Sequence, residues 1–459
     1  MADWITRPDH TRRDVLRLVG GAAVAVPFAA LAGCSSNSGK TLRVSYQQFG
    51  SGKIMSNYLT KVAAQFSKAH PDITVELVPL VAAENDYFTK NELMMSSSRT
   101  ACDLVYEDTF ILKSDVAAGY LQPIDHLLDK WPMWDQFYPI TQTAVQAEDG
   151  KHYGVPIFTD TRAIWHNKDL LAKAGFPAPW QPRTWDDILT AARAVKKKLP
   201  GVVPINIYAG KASGEKTSMQ GFEMLLYGTR SKLYDEKHKK WVLGSKGFID
   251  SLQMIKTIFD EKLGPPIANA LDPNLSETVS SDWFPHGKLA MAVDGCWIGG
   301  AWGEGAAAAW PEAHKVLKLA KMPTQHGEAP GLVTLSGGFS WAMPAKASQP
   351  DLAWQFVEQM MGTQNMTDFA IADNQISVRR DIAAQPRYQN SSPTVGFFTE
   401  LVKNTTYRPA LAPYPQISNA IQVATESVMI GSKSPQAAAK SYDAAVIDIV
   451  GKSETMKEA

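Results

Sequence analysis

Between residues 41 and 108 the hydrophobic residues switch period repeatedly, and few folds accommodate that pattern. Leu42, Val44 and Tyr46 alternate with polar residues, as a half-buried strand requires, and Leu59, Val62, Ala63 and Phe66 then recur at helical spacing. Ile73, Val75 and Leu77 alternate again, and Asp103-Leu104-Val105 follows a further helical stretch. Strands alternating with helices predict βαβ units on a parallel sheet. In such sheets a ligand lies beyond the carboxyl ends of the strands. Here that rule selects Gln47-Gln48 and Tyr106-Glu107-Asp108. At 459 residues the chain exceeds one ordinary core, so two α/β lobes are expected.

Later segments carry equally local signals. Thr184 is placed to cap a helix with Asp187 as an acidic capping-box partner, and Ile188, Leu189, Ala192 and Val195 form its apolar stripe. Lys196-Lys197-Lys198 falls in the last turn, where positive charge suits the helix dipole, and reads as a solvated helix end. Ile417, Ala420, Ile421, Ala424 and Val428 form another stripe that stops at Gly431, and Ser434-Pro435 opens a final helix.

The first 33 residues read as an export signal, outside the fold. Arg12-Arg13 precedes a weakly apolar run, Leu18 to Leu31, that ends in Leu31-Ala32-Gly33-Cys34. The twin Arg resembles a twin-arginine signal, and the last four residues resemble a bacterial lipobox. The run is too short to cross ~30 Å of hydrocarbon at 1.5 Å per residue. Two Gly and a Pro inside it make a poor core helix, and Ser35-Ser36-Asn37-Ser38-Gly39 makes a good tether. Residues 34–40 would then tether a protein held to the membrane through lipid on Cys34.

Composition narrows the function. The 46 Lys and Arg match the 46 Asp and Glu, so nothing supplies the basic surface that nucleic acid demands. Three cysteines cannot make a disulfide scaffold, and Cys102 and Cys296 read as buried free thiols. Gly50-Ser51-Gly52-Lys53 fails as a phosphate loop, because Gln47 and Ile54 stand where glycine and a hydroxyl residue are needed. The glycines near Gly299, Gly300, Gly303 and Gly305 do not form a dinucleotide pattern. No histidine pairing, H-E-x-x-H, C-x-x-C or G-x-S-x-G is present, so neither metal nor cofactor is expected.

Five segments in order resemble the family 1 extracellular solute-binding proteins of ABC importers, in particular the maltose/trehalose type. They are Asp103 to Asp108 with Gly119 to Asp125; Tyr153 to Pro156 with Trp165 to Leu171 and Arg183 to Trp185; Phe284 to Met291 with Gly295 to Trp297; Ser336 to Trp341 with Ala353 to Phe356; and Arg408-Pro409 with Tyr414 to Ser418. The resemblance implies a two-lobe, type II periplasmic-binding-protein fold with ligand between the lobes. One lobe would hold residues 41–157 and 342–405, the other 162–336 and 410–459. The chain would cross between them near Phe158–Arg162, Gly337–Trp341 and Arg408–Leu411.

The resemblance also implies a lipid-anchored, monomeric receptor on the outer face of the cell membrane, delivering a small saccharide to permease subunits without catalysis. Its implied ligand contacts are Asp108, Phe158, Asp160, Trp297, Gly338, Phe339 and Arg379; strand-end logic adds Gln48. Sugar CH faces pack on rings, and hydroxyls need fixed, preferably charged, partners. Core packing competes for Trp297 and Phe339, helix capping for Asp108, and surface ion pairing for Arg379 and its neighbour Arg380. Some relatives place Trp where this chain has Gly295, and the acid common in the first strand loop is absent. Asp108→Ala is expected to abolish ligand binding while sparing the unliganded fold. A glycerophospho-compound or polyol ligand is the alternative within transport. An exported carbohydrate-active enzyme is the alternative outside it, and it would need two carboxyls about 5–10 Å apart.

Overall fold

The periodic strands of the first hundred residues form one side of a five-stranded sheet. The structure, a computed structural model, describes residues 40–48, 52–82 and 84–458. The strands lie in the order Ile73–Val81, Lys40–Gln48, Leu104–Asp108, Phe339–Ala342, Gly154–Pro156. The first three run parallel, with Val44 opposite both Leu77 and Leu104. The parallel expectation fails at Phe339–Ala342, which runs antiparallel to both neighbours. This strand enters from the far end of the chain, so the local βαβ pattern has no bearing on its direction. Lys40, assigned above to the tether, already belongs to the first strand. Cys34 and the signal-like segment lie outside the described residues.

A second sheet has the order Leu317–Ala320, Arg162–Asn167, Leu289–Gly295, Val203–Asn206, and only its last pairing is parallel. Two short passages lead into or out of the first sheet, one to the second sheet and one from a separate two-stranded sheet of Thr334–Ser336 and Thr405–Tyr407. Residues 157–161 lead from Gly154–Pro156 to Arg162–Asn167, and Gly337-Gly338 leads from Thr334–Ser336 into Phe339–Ala342. The two passages nearly touch. A Cβ on Gly338, whose φ is +147°, would stand 2.3 Å from the Phe158 carbonyl oxygen.

Helix Val395–Leu401 sets Phe398 against Trp165 of the second sheet, with ring centroids 5.6 Å apart. Thr405–Tyr407 then pairs with Thr334–Ser336. Residues 395–405 therefore pack with the second sheet, although the motif spacing assigned them to the first lobe.

Helix Trp185–Lys198 has the expected capping box: Thr184 Oγ1 accepts from the Asp187 N–H, and the Asp187 carboxylate accepts from the Thr184 N–H. Its stripe Ile188, Leu189, Ala192 and Val195 is buried. Helices Tyr414–Met429 and Pro435–Val450 bury theirs against each other and against Lys246–Asp260. Trp341 and Trp354 are core residues, and Cys102 and Cys296 are buried free thiols. Among the described residues no helix is long and apolar enough to cross a membrane.

Candidate functional site

The strand ends and the two passages converge on a cleft of about 1060 Å³. That is the upper end of the range for small-molecule pockets, roughly 300–1000 Å³. Seven of the eight expected contacts line it: Gln48, Asp108, Phe158, Asp160, Trp297, Gly338 and Phe339. Strand alternation explains part of this. Tyr106 and Asp108 point to the cleft side of Leu104–Asp108, and Glu107, between them, points to the opposite face and bonds Asn91.

The aromatic wall is continuous. Phe339 stacks on Tyr106 with centroids 4.4 Å apart and planes at 8°, and Phe158 lies 5.9 Å from Phe339 and 6.3 Å from Phe369. Core packing and cleft lining are thus not alternatives for Phe339, which belongs to the core cluster and lines the cleft. Trp297, half-buried, supplies a ring on the other side. It folds back over Gly295, where a Cβ would stand 1.9 Å from the indole. Glycine there is a consequence of this tryptophan's position.

The floor is charged and tightly paired. Arg408 donates to Asp108 and to Glu215 Oε1, the latter at 3.3 Å, so one guanidinium holds groups from both halves of the cleft. Burial lowers its pKa, and the Asp108 and Glu215 carboxylates more than offset this, holding it above its ordinary value. Asp108 also accepts from the Phe110 N–H at 2.9 Å, a local turn contact, and it does not cap the helix that follows, whose N-cap is Ile111. Arg162 donates to Asp160 and to Gln220 Oε1, with its guanidinium carbon 5.0 Å from the Trp297 centroid. Asp160 also accepts from the Gly337 N–H at 2.8 Å, which fixes the second passage.

Beneath the floor the Tyr414 hydroxyl lies 2.8 Å from Glu215 Oε1 and 2.7 Å from Glu223 Oε1. One hydroxyl proton cannot serve two carboxylates, so one acid keeps its own. Burial, reinforced by the Glu215 charge, pushes Glu223 up to about 8, which makes Glu223 that acid.

Arg379 is not in the cleft. It is 0 % exposed, donates to the Met361 carbonyl and to Thr363 Oγ1, and pairs with Asp381 at 2.5 Å. Its neighbour Arg380 caps the Asp135 and Phe137 carbonyls. The guanidinium groups that line the cleft are Arg162 and Arg408, neither of which the sequence reading placed there. Arg408 stands in the quoted Arg408-Pro409 motif, and Arg162 follows Asp160 by two residues, so both signals were present. The rejected glycine run also lines the cleft, through Gly300, Gly303 and Gly305.

Two sheets that face one cleft of ring faces and fixed polar groups define a class of protein, one that holds a small polar solute. The chain belongs to the bacterial extracellular solute-binding protein family, whose profile matches residues 52–367. A probable ABC transporter-binding protein of Deinococcus radiodurans is 26% identical over 316 residues, 66% of this chain and 70% of that protein. The maltodextrin-binding protein of Bacillus subtilis is 24% identical over 378 residues, 79% and 81% of the two chains. The GacH receptor of Streptomyces glaucescens, solved unliganded and with acarbose, has a TM-score of 0.76 at 23% identity, covering 90% of this chain and 99% of that one. The maltose-bound T. maritima MalE3 structure gives a TM-score of 0.77 at 20% identity, covering 89% and 100%. The fold is therefore that of type II, maltose-binding-protein-like periplasmic binding proteins. Family and fold are those of solute-binding proteins, not of enzymes.

Proposed function

We propose that this protein is the lipid-anchored, extracytoplasmic receptor of an ABC importer, taking a mono- to trisaccharide into the cleft and passing it unaltered to the permease. The observation that carries this reading is the pairing of a stacked aromatic wall, Tyr106, Phe339 and Phe158, with fixed carboxylates at Asp108 and Asp160. Rings take the CH faces of a sugar, and carboxylates take adjacent hydroxyls. Gln48, Trp297 and the Gly338 backbone complete the contact set, with Arg408 in the role first given to Arg379. One lobe comprises residues 41–157 and 342–394, the other 162–336 and 395–459. They close on the ligand because it binds the closed state more tightly. The receptor works as a monomer, with Cys34 carrying the lipid. A phosphate-bearing ligand fits less well, because Arg162 and Arg408 already serve Asp160, Asp108 and Glu215.

A thermal-shift screen with mono-, di- and trisaccharides, polyols and glycerophosphodiesters tests the reading. A ligand at 100 times its Kd stabilises the fold by about 2.7 kcal/mol. Stabilisation by saccharides alone is the expected result. Stabilisation by glycerophosphodiesters alone, or consumption of the sugar with time, contradicts it.

A further inference from the structure

The charges around the cleft do not balance. Eight carboxyl and five cationic side chains line it. Arg162 and Arg408 are committed to Asp160, Asp108 and Glu215, and Lys61 is held by Asp368 at 2.5 Å. Asp373 also lines the cleft, and its carboxylate has one hydrogen-bond donor, Gln375 Nε2 at 3.1 Å. Among the described residues it makes no ion pair with a Lys, Arg or His. Among the described residues Asp294 accepts from neutral donors, the Tyr208 hydroxyl and the Gly295 N–H, each at 2.8 Å. A separate observation points the same way: Gln47, 1 % exposed and lining the cleft, has an Oε1 that accepts no hydrogen bond. The floor offers an incoming molecule acceptors, and its two guanidinium groups are already matched.

We propose that the saccharide carries a protonated amine, seated on the Asp373 carboxylate. This rests on the saccharide reading above and names the class within it. Hydroxyls alone would satisfy Gln47 Oε1, but an isolated carboxylate in a partly dry cleft gains most from a cationic donor. Hydrogen bonds to charged groups are stronger than those between neutral pairs. Asp373 and the Tyr106–Phe339 stack line the same cleft, and aromatic faces also attract cations. Burial pushes the Asp373 carboxyl up to about 7. A bound cation favours its ionised form, so capture below neutral pH releases a proton.

Titration calorimetry with matched probes tests this: glucosamine against glucose, galactosamine against galactose, and the β-1,4 glucosamine disaccharide against cellobiose, all at pH 6.5. The amine member of at least one pair should bind about tenfold more tightly, equivalent to about 1.4 kcal/mol. The ratio should fall toward one in Asp373→Asn, whose unliganded melting curve reports whether the variant is folded. A readout that needs no variant is proton release, seen as a binding enthalpy that changes with the ionisation enthalpy of the buffer. Equal or tighter binding of every neutral member overturns the amine proposal and leaves the saccharide reading intact. Persistence of the preference in folded Asp373→Asn, or absence of proton release, also overturns it. If no member of any pair binds, the saccharide reading falls and takes this inference with it.

Discussion

Asp108 holds the Arg408 guanidinium and accepts from the Phe110 N–H, and its side chain is almost fully buried. Its truncation therefore does more than remove a ligand contact. Removing one member of a buried ion pair costs about 3–5 kcal/mol, and Glu215 remains to hold Arg408, which places Asp108→Ala near the lower end. Urea unfolding of the unliganded variant should show a loss of about 3 kcal/mol; an unchanged midpoint contradicts the pairing. The expectation from sequence, an unliganded melting temperature within a few degrees of the wild type, treated Asp108 as a solitary acid. A sequence shows which residues can be charged, not which are paired. The same limit explains Arg379 and Arg408: both follow polar motifs, and only the packing decides which guanidinium reaches the cleft.

At the scale of elements, local chemistry was legible and long-range pairing was not. The Thr184–Asp187 box and the stripe beginning at Ile417 depend on residues three and four apart, so their spacing alone predicts them. The antiparallel strand Phe339–Ala342 and the docking of Val395–Leu401 on Trp165 depend on partners far along the chain. A further long-range consequence lies behind the cleft. Strand Leu104–Asp108, helix Leu112–Ala117 and helix Glu84–Met95 bring Glu107, Asp115 and Glu92 together, and no motif marks the cluster. Burial pushes Asp115 up to about 7 from 3.8. The folded protein thus keeps a proton that the unfolded chain sheds above about pH 4. The contribution of Asp115 to stability is full at acid pH, falls as pH rises toward about 7, and is level beyond. Between pH 5 and pH 8, Asp115→Asn should gain roughly 1–3 kcal/mol relative to the wild type in denaturant midpoints. A constant difference across that interval contradicts the assignment.

At the scale of the molecule, two sheets of different strand order meet at narrow passages, 157–161 and Gly337-Gly338, that form part of the cleft. Arg408 spans the same line, between Asp108 of the first sheet and Glu215 of the second half. Binding in such a place couples capture to a change of shape, because a guest that touches both halves is held best when they are near. The two-lobe plan was readable because its motifs are spread along the chain in order. The exact division was not, since residues 395–405 are assigned by an aromatic contact. Small-angle X-ray scattering of the protein with and without a saccharide shown to bind tests the central claim most directly. The radius of gyration should fall on saturation, with the sugar recovered chemically unchanged. Superimposable scattering curves at full occupancy would contradict capture by closure of the two halves.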